Sequence, residues 1–101
     1  MARLDVYPTP GRAARGYVLD VQADLLSVLG TRTVAPLLPE GDVPAVIRDL
    51  NTVFEIGGKR HAMLTQAIAT VRKRELRHSV ASLLQHHDVV LRALDVLLTG
   101  I

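Results

Sequence analysis

Polar and apolar residues alternate over Arg3-Leu4-Asp5-Val6-Tyr7, the period-2 pattern of a strand with one face buried. Pro8-Thr9-Pro10-Gly11 breaks that run, because proline lacks the donor a ladder needs and glycine accepts positive φ. A second strand is expected over Gly16 to Val21, where Tyr17, Val18, Leu19 and Val21 favour extended backbone. The two runs pair as a hairpin whose loop exceeds the two-residue optimum. Ala23 to Gly30 reads as a short helical turn or a surface loop. Thr31 to Leu37 is β-branched enough for another strand, stopped by Pro36 and Pro39. Pro39 to Pro44 is a loop, and Val46 to Leu50 one turn of helix. Val53-Phe54-Glu55-Ile56, Gly57-Gly58 and Lys59 to Leu64 make the clearest hairpin, since two glycines tolerate a primed turn. Ala67 to Leu76 is one more strand.

The last quarter changes period. Val80, Leu83, Leu84, His87, Leu91, Leu94 and Leu98 follow i, i+3, i+4, i+7 spacing, which predicts an amphipathic helix of about five turns. Ser79 or Ser82 caps its start, and Gly100 ends it. Short strands followed by one helix describe an α+β, mainly β domain: a curled antiparallel sheet or partly open barrel with a C-terminal amphipathic helix. Val89, Val90, Leu97 and Leu98 widen the apolar face beyond what one sheet covers. A leftover face of that kind suits a homodimer, with Val90, Leu94 and Leu97 assigned to the interface.

Composition narrows the class. The 101 residues suit one domain spanning 1–101, and 49% apolar content supports a core while excluding disorder. Tyr7, Tyr17 and Phe54 are the aromatics, so that core is Leu, Val, Ile and Ala. With no Cys there is no disulfide framework. Arg3, Asp5, Arg12, Arg15 and Asp20 leave no apolar signal region near the start, and Arg92 and Asp95 interrupt the most apolar stretch, Val89 to Leu98. The expectation is a soluble, cytoplasmic protein that does not enter a membrane. The net charge is only +2. Basic residues cluster at Arg72, Lys73, Arg74, Arg77 and His78, either as a nucleic-acid patch or as a solvated strand end. The low net charge and the lack of a neighbouring aromatic for base stacking favour the solvated reading.

Catalytic and metal chemistry find little support. His86 and His87 point about 100° apart on a helix and cannot share an ion, and neither has a histidine four residues away. His61 and His78 lack suitably spaced partners, so all four read as interface or surface histidines, His87 as a core-edge residue, and no metal is expected. No G-x-S-x-G elbow or Gly-rich phosphate loop occurs. Asp20 and Asp24 are close in sequence, and solvated carboxylates are the simplest account of them. Residue types and spacing alone point to a binding module.

A wider pattern adds to this. Asp20-Val21-Gln22-Ala23-Asp24-Leu25-Leu26, then Gly30 and Arg32, then Val34-Ala35-Pro36-Leu37, resembles the central motif of the CcdB gyrase-poison toxins. Val53 to Ile56 with Gly57, and Met63-Leu64-Thr65, are similar to that family's middle hairpin. Val80-Ala81-Ser82-Leu83 and the ending Gly100-Ile101 are similar to its C-terminal quarter. The resemblance covers almost the whole chain. It implies a toxin of a type II toxin–antitoxin module: a homodimer of an SH3-like, partly open barrel with a C-terminal helix, not an enzyme, and without a cofactor. Such toxins bind the A subunit of DNA gyrase and trap the enzyme on cleaved DNA. A disordered segment of a CcdA-like antitoxin neutralises them, and operator DNA is met only through that complex.

The resemblance assigns gyrase binding to Leu98, Thr99, Gly100 and Ile101, and antitoxin binding to Leu25, Leu26 and Asp95. The family carries a tryptophan before Gly-Ile, where this chain has Thr99. Tryptophan buries roughly 150–250 Å², and truncating such an anchor costs about 2 kcal/mol, or thirtyfold in affinity. Leu25 and Leu26 stand for an Ile-Ile pair, with filling of the core edge as the alternative. Two further readings follow: a diverged or inactive toxin that keeps only antitoxin binding, and a ribonuclease toxin on the same barrel whose Arg72 to Arg77 run holds a phosphate backbone.

Overall fold

The structure, a computed structural model, describes residues 2–11, 16–43, 45–47 and 49–100. Its elements run β1 (Asp5–Pro8), β2 (Tyr17–Asp20), β3 (Thr31–Pro39), β4 (Val53–Ile56), β5 (Lys59–Met63), β6 (Ala69–Arg72), β7 (Ala81–Ser82) and α1 (His87–Thr99). All pairings are antiparallel, in the order β4-β5-β3-β2-β1-β7, with β6 also paired to β3. The strands form a nearly closed barrel followed by the helix, an α+β, mainly β fold as the alternation predicts.

β3 organises this arrangement, because its nine residues pair with β2 on one edge and with β6 and then β5 on the other. It passes straight through Pro36, where a stop was expected. The Pro36 carbonyl faces outward to accept from the Leu64 N–H at 2.8 Å. Its missing donor therefore falls where β6 has ended at Val34 and β5 begins opposite Leu37, so no ladder bond is lost.

Both faces of β1–β3 are covered. Leu4, Val6, Leu19, Ala35 and Leu37 point into the main core with Phe54, Ile56, Met63, Val90 and Ala93. Tyr7, Val18 and Val34 point the other way, against Leu76 and Val71. Curling β6 over the second face gives those residues their partners, which is why Tyr17-Val18-Leu19 reads as a continuous apolar run. At the β4–β5 turn Gly57 and Gly58 take φ of 59° and 80°, as a primed turn requires. Gly16, with φ of 82°, brings its backbone so close to the Leu37 carbonyl that an added Cβ would sit 2.4 Å from that oxygen.

Four boundaries differ from the sequence pattern. β1 starts at Asp5, because Leu4 is buried with φ of 67° and donates its N–H to the Asp20 carbonyl at 2.7 Å. No helix forms among the described residues of Val46–Leu50. There Asn51 closes the turn, accepting from the Ile47 N–H at 2.9 Å and donating to the Met63 carbonyl at 3.0 Å. β6 is shorter than expected, with 3₁₀ turns over Thr65–Ala67 and Lys73–Glu75 on either side. The helix begins at His87 rather than near Val80. Residues 80–83 instead cover the open edge of β1, with Val80 N–H donating to Val6 O and Leu83 N–H to Leu4 O, both at 2.8 Å. Ser82 accepts from the Leu84 N–H at 3.3 Å, ahead of a 3₁₀ turn that leads into α1. Among the described residues no helix is long and apolar enough to cross a membrane.

Candidate functional site

The connection between β2 and β3 is built on a buried ion pair. Asp20 and Arg32 side chains are both 0% exposed; Asp20 Oδ2 accepts from Arg32 Nε at 2.8 Å and lies 2.6 Å from Nη2 in the ion pair. Asp20 Oδ1 accepts from the Gln22 N–H at 3.1 Å. The solvated carboxylate expected at Asp20 is thus an enclosed one. Burial pushes its carboxyl above the ordinary aspartate range, against the downward pull of Arg32 and the Gln22 N–H.

Gln22, also buried, carries the bracing onward. Its Oε1 accepts from the Thr33 N–H at 3.0 Å, and its Nε2 donates to the Leu26 carbonyl at 3.1 Å. Asp24 Oδ1 accepts from the Arg3 N–H at 2.8 Å, while Lys73 donates its N–H to Gly30 O at 2.9 Å and its Nζ to Ser27 O at 3.0 Å. With backbone groups satisfied from behind, a 3₁₀ turn over Asp24–Leu26 turns its apolar side chains outward. Leu25 is 88% exposed and Val28 90%, and Leu26 and Leu29 are nearly half exposed. Leu25 and Leu26 therefore do not fill the core edge; they form an apolar projection.

A second projection is the end of α1. Leu98 is 74% exposed, and Thr99 and Gly100 are exposed beside it. Gly100 closes the helix in the left-handed region, with φ of 78° and its N–H on Val96 O at 3.0 Å. Thr99 Oγ1 donates to the Asp95 carbonyl one turn back at 2.7 Å, so its hydroxyl is engaged within the helix. Exposed Asp95 thus shares the tip with Leu98, Thr99 and Gly100, three of the four residues assigned to gyrase, whereas Leu25 and Leu26 lie on a separate element. Ile101 lies outside the described residues. Of the helix residues assigned to a dimer, Val90 is 1% exposed inside this chain's own core and presents no surface to a second protomer. Leu94 and Leu97 are half-buried, Leu94 against the core edge.

The model of the CcdB protein family matches residues 3–100, nearly the whole chain. The chain belongs to the CcdB family. Membership supports a toxin of a toxin–antitoxin system. A search of curated proteins gives no match. Within this CcdB-family chain, spacing missed Arg32, Gln22, Lys73 and Arg3 as the residues that hold the first projection. Gln22 and Arg32 stood in the motif that resembles the family and Lys73 in the basic cluster, but nothing in their spacing showed that they meet. The histidines also part from expectation at one position: His61 is buried edge-on against Tyr17, ring centroids 5.1 Å apart. His87 is partly exposed, with Nδ1 3.4 Å from Asp88 Oδ1. Among the described residues no three His, Asp or Glu side chains gather as a metal site.

Proposed function

We propose that this chain is a homodimeric toxin that binds the A subunit of DNA gyrase through the end of α1 and acts by binding, not by catalysis. The observation that carries the reading is the apolar tip: exposed Leu98 and Thr99 beside a left-handed Gly100, on a chain of the CcdB family. Leu98, Thr99, Gly100 and Ile101 make the gyrase contact. Leu25, Leu26 and Asp95 meet a CcdA-like antitoxin, and the toxin–antitoxin complex represses its own operon in the cytoplasm. Leu94 and Leu97 supply the dimer seam.

Thr99 sets the strength of the contact. Its hydroxyl is engaged with the Asp95 carbonyl, so it lends little beyond a methyl group to a partner. A tryptophan there adds an aromatic anchor worth about 2 kcal/mol, or thirtyfold in affinity. The test is a gyrase supercoiling and cleavage-complex assay on the wild type, Thr99→Trp, and a chain lacking residues 100 and 101. The wild type is expected to trap cleaved DNA, Thr99→Trp to do so at about thirtyfold lower concentration, and the truncation not at all. A wild type and a Thr99→Trp variant both inert on gyrase would remove gyrase as the target.

A further inference from the structure

The small net charge conceals how charge is placed. Four of the twelve Lys and Arg lie between residues 72 and 77, against one of the ten Asp and Glu, so this run carries +3 and the rest of the chain −1. β6 ends at Arg72, the Lys73–Glu75 turn follows, and Arg72, Arg74 and Arg77 are all exposed. Elsewhere in the fold Arg32, Arg60 and Arg92 each face a carboxylate. Among the described residues Arg72, Arg74 and Arg77 have neither an ion pair nor a hydrogen bond.

Two anchors hold this run in place. Lys73 donates its N–H to Gly30 O and its Nζ to Ser27 O, at 2.9 and 3.0 Å, so that cation is committed to the fold. Leu76, buried in the second core, fixes the backbone between Glu75 and Arg77. Two open hollows share Arg74. One, of about 680 Å³, is lined by Gly30, Thr31, Arg72, Lys73 and Arg74. The other, of about 850 Å³, lies between residues 8–11 and Arg74, Glu75 and Arg77. Arg72 and Arg77 are five residues apart, at most about 17 Å along the chain. One turn of B-form DNA spans about 34 Å, so all three arginines fit within one face of a single duplex.

The lining selects a ligand by what it lacks. Protein segments seat an apolar anchor in a pocket, and lipid surfaces take inserted apolar side chains beside the cations. Apart from Pro8 and Pro10, no apolar side chain among the described residues lines either hollow. Single strands are held by stacking on aromatics, and none lines the hollows. An RNA duplex is gripped largely through its 2′-hydroxyls, for which the described lining offers Thr9 and Thr31 as neutral polar side chains. What remains is guanidinium, whose planar fork matches a pair of phosphate oxygens.

We propose that Arg72, Arg74 and Arg77 form a sequence-independent docking track for the phosphate backbone of double-stranded DNA. Lys73 positions the track from behind. The proposal uses none of the residues assigned to gyrase or antitoxin, so it stands or falls separately from that reading.

The test measures fluorescence anisotropy of the full chain with a labelled duplex of about 20 base pairs, two helical turns. Salt is varied from about 50 to about 200 mM. Three phosphate contacts predict that log affinity falls against log salt with a slope of about −2.7, a loss of about fortyfold across that range. A duplex of unrelated sequence should bind equally well. Arg74→Gln should reduce the slope to about −1.8 and weaken binding about tenfold at the lowest salt. Its unfolding midpoint should not move, because the side chain is exposed. Lys59→Gln, an exposed cation on the β4–β5 hairpin, makes the same change in net charge and should leave affinity and slope in place. No binding at about 50 mM salt, a slope that ignores Arg74→Gln, or an equal effect of Lys59→Gln overturns the proposal. So does tighter binding to a single strand, to an RNA duplex of the same sequence, or to phosphatidylserine vesicles.

Discussion

Arg32 is the side chain on which the β2–β3 connection depends most. It neutralises Asp20 inside the protein, and Asp20 in turn anchors the N–H of Gln22, whose amide spans from Thr33 to Leu26. Arg32→Met keeps most of the apolar stem but leaves an enclosed carboxylate without its cation. The expected cost is about 3–5 kcal/mol at neutral pH, measured by denaturant unfolding. Its pH dependence has a definite sign. The folded-state pKa of Asp20 is already raised by burial, and the two influences of Arg32 that lower it are removed. The folded variant thus takes up a proton at a pH where the unfolded chain has none, so stability recovers as pH falls through the folded pKa. Asp20→Leu combined with Arg32→Met should recover much of the loss at neutral pH, because no unpaired charge remains. A single variant as stable as the wild type at pH 7 would show that the pair bears no such load. This is also the scale at which the sequence was least legible. Asp20 and Arg32 lie 12 positions apart on different strands, and no periodicity marks a charged pair for the interior, where charges seldom go.

Elements whose signals are local were read well. Gly57-Gly58 between two β-rich runs sets the β4–β5 hairpin by turn chemistry alone, and the strands fall where expected. Elements whose limits depend on a distant partner were not. The spacing of Val80, Leu83 and Leu84 suits a helix, but the open edge of β1 offers Val6 O and Leu4 O as acceptors, and residues 80–83 take them. β3 likewise continues through Pro36 because the neighbour that would have needed its N–H is absent at that point. Val80→Pro separates the two possibilities. In the first turn of a helix a proline is tolerated, since its N–H has no partner there. On the approach to β7 it removes the donor to Val6 O while disturbing little else, Val80 being half exposed. The expected loss is about 1–2 kcal/mol in chemical unfolding. A change within a few tenths would place this segment at a helix start instead.

At the scale of the whole molecule, the two cores are closed by the chain itself, while apolar side chains remain outside on several elements. α1 illustrates the division. Val90 and Ala93 belong to the interior, Leu94 and Leu97 lie at its margin, and Leu98 is out in solvent. Positions 94 and 97 keep i, i+3 spacing, so they form a stripe along the helix's outer half, with Leu98 beyond it at the tip. A second copy meeting this stripe about a two-fold axis would cover it symmetrically and leave the β2–β3 projection of each protomer free. Dimerisation of that kind makes stability depend on concentration, since dissociation accompanies unfolding. A tenfold increase in protein should then raise the Tm by about 4 °C for protomers of this size. Leu97→Glu places a charge on the seam at a position only half-buried in the protomer. It should yield a folded monomer in light scattering, with a Tm that no longer moves with concentration. If the wild-type Tm is constant over about a hundredfold range of concentration, the stripe is not a dimer seam. The tip at Leu98 and Thr99 would then have to engage its target from a single chain, with half the contact that a two-fold pair of tips provides.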